Sequence, residues 1–186
     1  MCDNGWVQLF DNKMFDAQSK TSPFDYGIRT PIMFSYPGKI KPEDSPELAS
    51  SIDIVPTVLN LLGIRKDKRL EGIDLLDSKK RKSRKAVYGD IYVHDAFDLY
   101  DPSQNLAYRW IVEKDWKLFL PEKDIISENV KLLWDEWFSR RKDLPTTEAG
   151  LFQITEDPYE TNNLLSRKQS KVEELTKKIN KWYPYR

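Results

Sequence analysis

The second half of the chain carries the pattern that most constrains its fold, a series of short strand-like segments. AVYGDIYV, LAYRWIVE and WKLFL are rich in β-branched and aromatic residues, and only Lys114 and Asp115 separate the second segment from the third. GLFQIT, at residues 150–155, has the same character and is followed by the turn EDPYETNN. We therefore expect a short antiparallel sheet in this half of the chain.

Two helices are predicted beside these strands. LLWDEWFSRR is expected to form one, and a closing helix is predicted from residue 166 to about residue 182. The closing helix carries apolar side chains three and four residues apart, at Val172, Leu175, Ile179 and Trp182. Strands followed by an amphipathic helix indicate a small α+β subdomain, which we assign to residues 86–186.

The first half contains one short apolar segment and one longer helical pattern. Residues 32–36 (IMFSY) lie between Pro31 and the turn Pro37-Gly38, which predicts a buried strand. SSIDIVPTVLNLLGI predicts a helix, with Ser51 or Asp53 as the N-cap and Gly63 at its C-terminal end. Its apolar face is expected to pack on a sheet, through Ile52, Val55, Leu59 and Leu62.

The basic segment KKRKSRK, at residues 79–85, is the sharpest change of composition in the chain. Such a run can be a nuclear-localisation or nucleic-acid-binding patch, but it can equally be a solvated linker. We favour the linker, because the chain carries 30 basic and 30 acidic residues and no aromatic residues interleave the basic ones. The linker would separate residues 1–78 from residues 86–186.

Composition excludes several classes of function. A balanced charge provides no overall field to attract nucleic acid or an acidic membrane, so neither is expected as a partner. No apolar run approaches the roughly 20 residues of a membrane-spanning helix. Cys2 is the single cysteine, which excludes an internal disulfide framework. No histidine or basic residue lies beside Cys2 in the sequence, so it is not expected to be a nucleophile.

Taken one by one, the candidate functional residues are weak signals. Asp3 and Asn4 offer hard oxygen ligands suited to Ca²⁺ or Mg²⁺, but Asp-Asn-Gly is also an ordinary turn sequence. Lys20 is a loop lysine, and most lysines are simply solvated. His94 is the only histidine, and a hydrogen-bonded residue at a strand end is favoured over a contact at the rim of a pocket.

Taken together in their order along the chain, these motifs indicate a relationship more strongly than any one of them does alone. The chain contains DNG at 3–5, KTSPFDYGIRTP at 20–31, YPGKI at 36–40, SSIDIVPTVLNLLGI at 50–64, LEGIDLL at 70–76 and GLFQITEDPYETNNL at 150–164. In this order and at these spacings, they resemble the C-terminal part of the type I sulfatases, which have the alkaline phosphatase fold. The resemblance implies that residues 1–78 are the C-terminal portion of the α/β catalytic domain.

The resemblance also implies roles for single residues. Asp3 and Asn4 correspond to two of the four side-chain ligands of a Ca²⁺ ion, and Lys20 to a lysine that contacts the sulfate group. A divalent ion and a fixed ammonium can stabilise the negative charge of a transferring sulfuryl group. At Arg29 we expect a structural ion pair rather than catalysis. The family's Glu-Gly-Gly is Asp25-Tyr26-Gly27 here, so the local backbone path can differ.

Several parts of the family's active site have no counterpart in this sequence. The nucleophile, a formylglycine made from the cysteine of C-x-[PA]-x-R, is absent because Cys2 is followed by Asp-Asn-Gly. The resemblance places that motif, the other two Ca²⁺ ligands and the histidines and second lysine in an N-terminal half. We therefore expect the chain to be a fragment that is inactive alone and exposes apolar surface.

Three functions remain open at this point. The first is a sulfatase that hydrolyses sulfate esters of a glycan or of an aryl alcohol, with His94, Arg109 or Trp110 at the pocket rim. The second is a phosphodiesterase or phosphonate monoester hydrolase of the same superfamily. The third is a non-catalytic module that binds sulfated glycans or another chain. Members of the sulfatase family are mostly exported, periplasmic or lysosomal, but this sequence does not indicate a compartment.

Overall fold

A computed structural model describes residues 1–8, 16, 18–93, 98–126 and 146–183. His94 and the helix predicted for LLWDEWFSRR lie outside these residues. The described chain forms two compact units. Unit A consists of Met1 and residues 31–87, and unit B consists of residues 2–30 and 88–186. Residues 2–30 thus group with the second half of the chain, whereas the domain boundaries 1–78 and 86–186 stay a prediction.

A four-stranded sheet forms the centre of unit B, with its first strand beginning in the last residues of unit A. Its strands are β1 (Ala86–Tyr92), β2 (Leu106–Glu113), β3 (Trp116–Pro121) and β4 (Gly150–Gln153), in the spatial order β1-β2-β3-β4. The pairs β2/β3 and β3/β4 are antiparallel, and a 3₁₀ turn at Pro102–Asn105 precedes β2. The predicted strands and the turn at Lys114-Asp115 are confirmed, and Lys114 adopts a φ of +52° in that turn.

A C-terminal helix packs against this sheet. This helix, Gln169–Trp182, buries Leu175 and Ile179 completely, as the spacing of apolar residues predicts. The sheet contributes most of the remaining buried apolar side chains, which are Leu106, Ala107, Tyr108, Ile111, Val112, Leu118, Phe119, Leu151 and Phe152. Unit B therefore has a conventional apolar core, and its helix begins three residues later than the sequence predicts.

An aromatic cluster joins the N-terminal segment of unit B to this sheet. Phe24 contacts Phe119 edge to face, with ring centroids 5.2 Å apart, and lies 6.1 Å from the ring of Phe152. Phe119 and Phe152 stack at 6.0 Å. Because aromatic pairs of this geometry add to the burial of apolar area, the loop that carries Phe24 is anchored to β3 and β4.

Unit A contains the predicted helix of the first half. A 3₁₀ turn at Ser51–Asp53 continues into helix α2 (Ile54–Leu61), and Gly63 ends it with a φ of +68°, as predicted. Ser50 is the N-cap of the 3₁₀ turn, and a reciprocal capping box joins it to Asp53. Asp53 itself occupies the N-cap position of α2, as one of the two predicted alternatives.

The apolar face of helix α2 does not pack on a sheet among the described residues, contrary to the prediction. Val55 is 51% exposed and Leu62 is 66% exposed, whereas Asp53, Pro56 and Thr57 are buried. Hydrogen bonds decide the orientation: Thr57 Oγ1 donates to the Asp53 carbonyl and accepts from the Leu75 amide. A helix face that satisfies buried polar groups is turned inward here, and the apolar side chains are turned outward.

One expectation for unit A is wrong. Residues 32–36 are not a buried strand, because they join no ladder with the described residues and Met33 is 78% exposed. Helix α3 (Ser78–Ser83) occupies most of the basic segment, with Lys79, Lys80 and Lys82 exposed, and its role as a linker stays a prediction. The Asp77 carboxylate caps this helix, and Arg81 is buried against Glu43 and Glu47. None of the described helices is long and apolar enough to span a bilayer.

Candidate functional site

The loop that carries Lys20 ends in a short helix of unit B, α1 (Asp25–Ile28). Ser19 is fully buried, while Lys20 after it is exposed, so the lysine ammonium is presented to solvent on a fixed backbone. Thr21 has a φ of +68°, which is uncommon for a residue with a Cβ branch. The loop is therefore held in one conformation by its surroundings rather than by the preference of its own residues.

Two glycines allow the Asp3-Asn4 turn and helix α1 to approach closely. The Gly5 amide donates to the Gly27 carbonyl at 2.8 Å. A Cβ on Gly5 would overlap the Tyr26 carbonyl, and a Cβ on Gly27 would overlap the carbonyls of Ser19 and Ser22. Tyr26, which stands where the family has a glycine, takes part in this approach through its backbone carbonyl.

A second contact joins the same segments. The Val7 amide donates to Ser19 Oγ at 2.8 Å, directly before Lys20. These two contacts bring the Asp3-Asn4 turn, which lies 16 residues before Lys20 in sequence, together with the Lys20 loop and α1. Asp3 is exposed and Asn4 is half-buried, so both can reach a ligand at this surface.

The oxygen donors of the turn suit a hard divalent cation but do not make a complete site. Asn4 donates through Nδ2 to the Gly5 carbonyl at 2.7 Å, an arrangement that keeps its amide oxygen for accepting or ligating. Among the described residues, no group of three or more His, Cys, Asp or Glu side chains is placed to hold a metal ion. Asp3 and Asn4 thus match Ca²⁺ in chemistry but supply only two ligands.

Behind α1 lies a buried cluster of charges that sequence reasoning missed. Lys117, on β3, is fully buried, and its Nζ lies 2.8 Å from Asp25 Oδ1 and 2.7 Å from Glu160 Oε1. Burial raises the pKa of the Glu160 carboxyl, and the Lys117 ammonium acts against that rise. The signal in the sequence was a lysine inside the apolar strand WKLFL, but its partners are 92 residues before it and 43 residues after it.

The remaining candidates are structural or lie outside the described residues. Arg29 forms an ion pair with Asp25 at 3.6 Å, in agreement with the expected structural role, and its side chain is 77% exposed. Arg109 is buried and donates to Glu122 and Asn180. Trp110 packs over Gly89 within the sheet. Cys2 is exposed, and His94 stays a prediction.

Comparison with known proteins identifies the family. The family described as N-sulphoglucosamine sulphohydrolase, C-terminal, matches residues 9–136, which is more than half of the chain. The ulvan-active sulfatase of Formosa agariphila is 27% identical over 185 residues, covering 86% of this chain and 29% of its own length. The endo-4-O-sulfatase of Bacteroides thetaiotaomicron is 26% identical over 167 residues, covering 86% of this chain and 30% of its own length.

A solved structure confirms the fold. BT4656, determined in complex with its substrate D-glucosamine-2-N,6-O-disulfate, superposes with a TM-score of 0.59 and 20% identity over 98% of this chain. The match covers 33% of that protein, so the chain spans about a third of the length of the proteins it matches. The fold is thus the predicted mixed α/β arrangement of the sulfatases. The chain belongs to the family of the C-terminal region of N-sulphoglucosamine sulphohydrolase, and hence to the sulfatases.

Proposed function

We propose that this chain is the C-terminal part of a sulfatase that hydrolyses sulfate esters of carbohydrates. The observation that carries the proposal is the pair of hydrogen bonds, Val7 to Ser19 and Gly5 to Gly27, that joins the segment after Asp3-Asn4 to the Lys20 loop and α1 in a sulfatase-family chain. Related proteins act on ulvan or carry the name endo-4-O-sulfatase, and BT4656 binds a disulfated glucosamine. These relatives support a sulfated glycan as the substrate.

Lys20 is proposed to contact the sulfate group. A sulfuryl group in transfer spreads negative charge over its oxygens, and an ammonium fixed beside it stabilises that charge without reorganisation. The exposed position of Lys20 after the buried Ser19 supports this role, since the backbone is anchored while the side chain can reach a ligand. His94 stays a possible substrate contact on sequence grounds alone.

Asp3 and Asn4 are proposed to supply two ligands to an active-site Ca²⁺ ion. When bound, the ion would add positive charge beside the sulfate oxygens. Mg²⁺ is an alternative, because both ions take oxygen ligands, although Mg²⁺ demands a stricter geometry. The other ligands and a formylglycine nucleophile are proposed to come from the part of the sulfatase fold that this chain does not span. The 186 residues alone are therefore expected to release no sulfate.

The test is an assay of the polypeptide that contains this chain together with the region bearing C-x-[PA]-x-R. Sulfate release is measured from D-glucosamine-2-N,6-O-disulfate and from p-nitrophenyl sulfate, and phosphodiester hydrolysis from bis-p-nitrophenyl phosphate. The proposal expects the sulfated sugar to be the best of the three substrates by kcat/KM. Faster turnover of the phosphodiester would replace the proposal with the phosphodiesterase alternative, and the absence of any hydrolysis with intact glycan binding would favour a binding module.

A further inference from the structure

The buried lysine of β3 has a role beyond stability. Lys117 is completely shielded from solvent, so it cannot touch a substrate. Its two partners, Asp25 and Glu160, are also buried, and the exposed Arg29 guanidinium lies 3.6 Å from the other oxygen of Asp25. Buried ion clusters seldom add net stability over apolar residues of the same volume, and the best-attested use of such groups is to fix one arrangement. The contacts of Lys117, Asp25 and Glu160 with neighbouring segments show which part of the fold the cluster holds.

The cluster connects the sheet to the first residue of α1. Glu160 Oε2 accepts a hydrogen bond from the Asp25 amide at 2.5 Å, so Glu160 binds both the lysine and the start of the helix. Glu160 itself has a φ of +52°, a left-handed conformation that costs energy for a residue with a Cβ. The turn that carries Glu160 accepts this strain to place its carboxylate between β3 and α1.

Helix α1 in turn holds both segments of the candidate site. Two residues beyond Asp25, Gly27 accepts from the Gly5 amide next to Asn4 and lies against the carbonyl of Ser19 next to Lys20. A shift of α1 would therefore displace the Asp3-Asn4 turn and the Lys20 loop together. Misplacement of catalytic groups by about 1 Å can cost on the order of 100-fold in rate.

We propose that Lys117 is a positioning residue, which clamps α1 through Asp25 and Glu160 and thereby sets the location of Lys20 and of the Asp3-Asn4 turn on the sheet. The inference rests on the proposed function, because it assigns these two segments to the active site. Lys117, a residue of the C-terminal subdomain, then affects the reaction rate by holding other residues in place and not by contacting the substrate.

The first test is Lys117→Met in the complete polypeptide, with Lys178→Met as the matched control. Lys178 also pairs with two carboxylates, Glu113 and Glu174, but it lies on the C-terminal helix and both of its partners lie outside α1. Lys117→Met is expected to lower kcat by about 10- to 100-fold with KM within about 3-fold, since the affected groups act mainly in the transition state. Lys178→Met is expected to leave kcat within about 2-fold.

The second test is amide hydrogen exchange on the same variants, which does not depend on activity. In Lys117→Met, the amides of residues 5–7 and 19–28 are expected to exchange at least about 10-fold faster, while those of β2 and β3 keep their protection. Faster exchange throughout unit B, or no change near α1, would overturn the inference. The control should alter neither region.

Glu160→Gln provides a milder variant if Lys117→Met does not fold. A glutamine keeps an acceptor for the Asp25 amide but removes one charge from the cluster, so smaller effects of the same pattern are expected. Unchanged local exchange in this variant would contradict the clamp.

If the wild-type polypeptide releases no sulfate, the proposed function fails, and the exchange data alone decide whether Lys117 holds α1. If Lys20→Ala abolishes activity while Lys117→Met leaves it intact, only the clamp fails.

Discussion

The two units of the chain differ in how much apolar volume they bury. Unit B removes Leu106, Ile111, Leu118, Leu151, Leu175 and Ile179 from solvent, beside its buried charges such as Lys117. In unit A the buried residues are mainly polar or charged, namely Asp53, Thr57, Asp74 and Arg81, beside the apolar Leu75. Large apolar side chains of unit A, in contrast, are exposed at Met33, Tyr36, Ile52, Val55, Val58, Leu62 and Ile64.

Asp53 shows how unit A is held together. Its carboxylate accepts from the amides of Ser50 and Ile73, each at 2.8 Å, and binds the guanidinium of Arg84. One buried side chain thus joins the start of α2, the loop after it and the end of the basic segment. The contrast teaches that unit B depends on apolar volume, whereas unit A depends on satisfied hydrogen bonds, and the two units should respond to different mutations.

The largest effect is expected from Asp53→Ala, which breaks the network of unit A. The variant leaves Arg84 and two amides without their carboxylate, and removing one partner of a buried ion pair costs about 3–5 kcal/mol. Hydrogen exchange should show loss of protection in unit A while the sheet of unit B stays protected. Asp67→Ala is the control, because its pair with Arg69 is exposed, and it should leave exchange unchanged. Equal effects of the two substitutions would refute the comparison.

A smaller effect, in the other unit, is expected from Leu118→Ala. Leu118 is fully buried in β3, and truncation of a buried leucine costs about 3 kcal/mol through lost burial and the cavity left behind. The free energy of unfolding, measured in urea, should fall for unit B and remain constant for unit A. Leu99→Ala serves as the control because Leu99 is largely exposed. A similar loss in both variants would mean that apolar volume does not hold unit B together.

The exposed apolar face of α2 leads to a prediction about association. Val55, Val58 and Leu62 lie on one side of the helix by their spacing, and an exposed apolar patch promotes self-association. The double variant Val55→Glu, Leu62→Lys should reduce the light scattering of the isolated chain and change its stability by under about 0.5 kcal/mol. Leu99→Lys, in unit B, should leave the scattering unchanged. If Leu99→Lys reduced the light scattering by the same amount, an added charge at any exposed position, and not this face, would control association.

The smallest effect concerns exposed charges on the C-terminal helix. Hydrogen bonds from Lys171 and then Lys178 lower the pKa of Glu174 to about 2. Because the folded-state pKa lies below the ordinary value, the stabilisation is present at pH above that value and is lost as the pH falls towards 2. A carboxyl titration by NMR should give a midpoint near 2, and Glu174→Gln should change stability at pH 7 only slightly. A midpoint at the ordinary value, about 4.3, would contradict the pairing.

The sequence predicts the local elements well and their burial less well. The four strands, the closing helix and the extent of α2 follow from residue periodicity and turn residues, which act over a few positions. The inward face of α2 does not follow, because Thr57 and Asp53 are turned inward by partners at Ile73, Leu75 and Arg84. A hydrophobic pattern alone assigns that face to Val55 and Leu62 and gives the wrong answer.

The residues of the candidate site could likewise be predicted only in part from the sequence. Asp3, Asn4 and Lys20 were identified from ordered motifs, and the structure brings their segments together through Gly5, Gly27 and Ser19. Lys117 and Glu160 could not be assigned, because nothing in a sequence reports which buried charges meet across 43 residues. Long-range polar contacts therefore set both the fold of unit A and the support of the site in unit B.

The central claim is that Lys20 belongs to the active site of a sulfatase. The most direct measurement is the rate of sulfate release from D-glucosamine-2-N,6-O-disulfate by the complete polypeptide, for wild type, Lys20→Ala and the exposed-lysine control Lys39→Ala. We predict that the rate of sulfate release falls at least about 100-fold in Lys20→Ala, as for the removal of one donor that stabilises charge in the transition state. In Lys39→Ala the rate should change by no more than about 2-fold. Full activity in Lys20→Ala would contradict the claim.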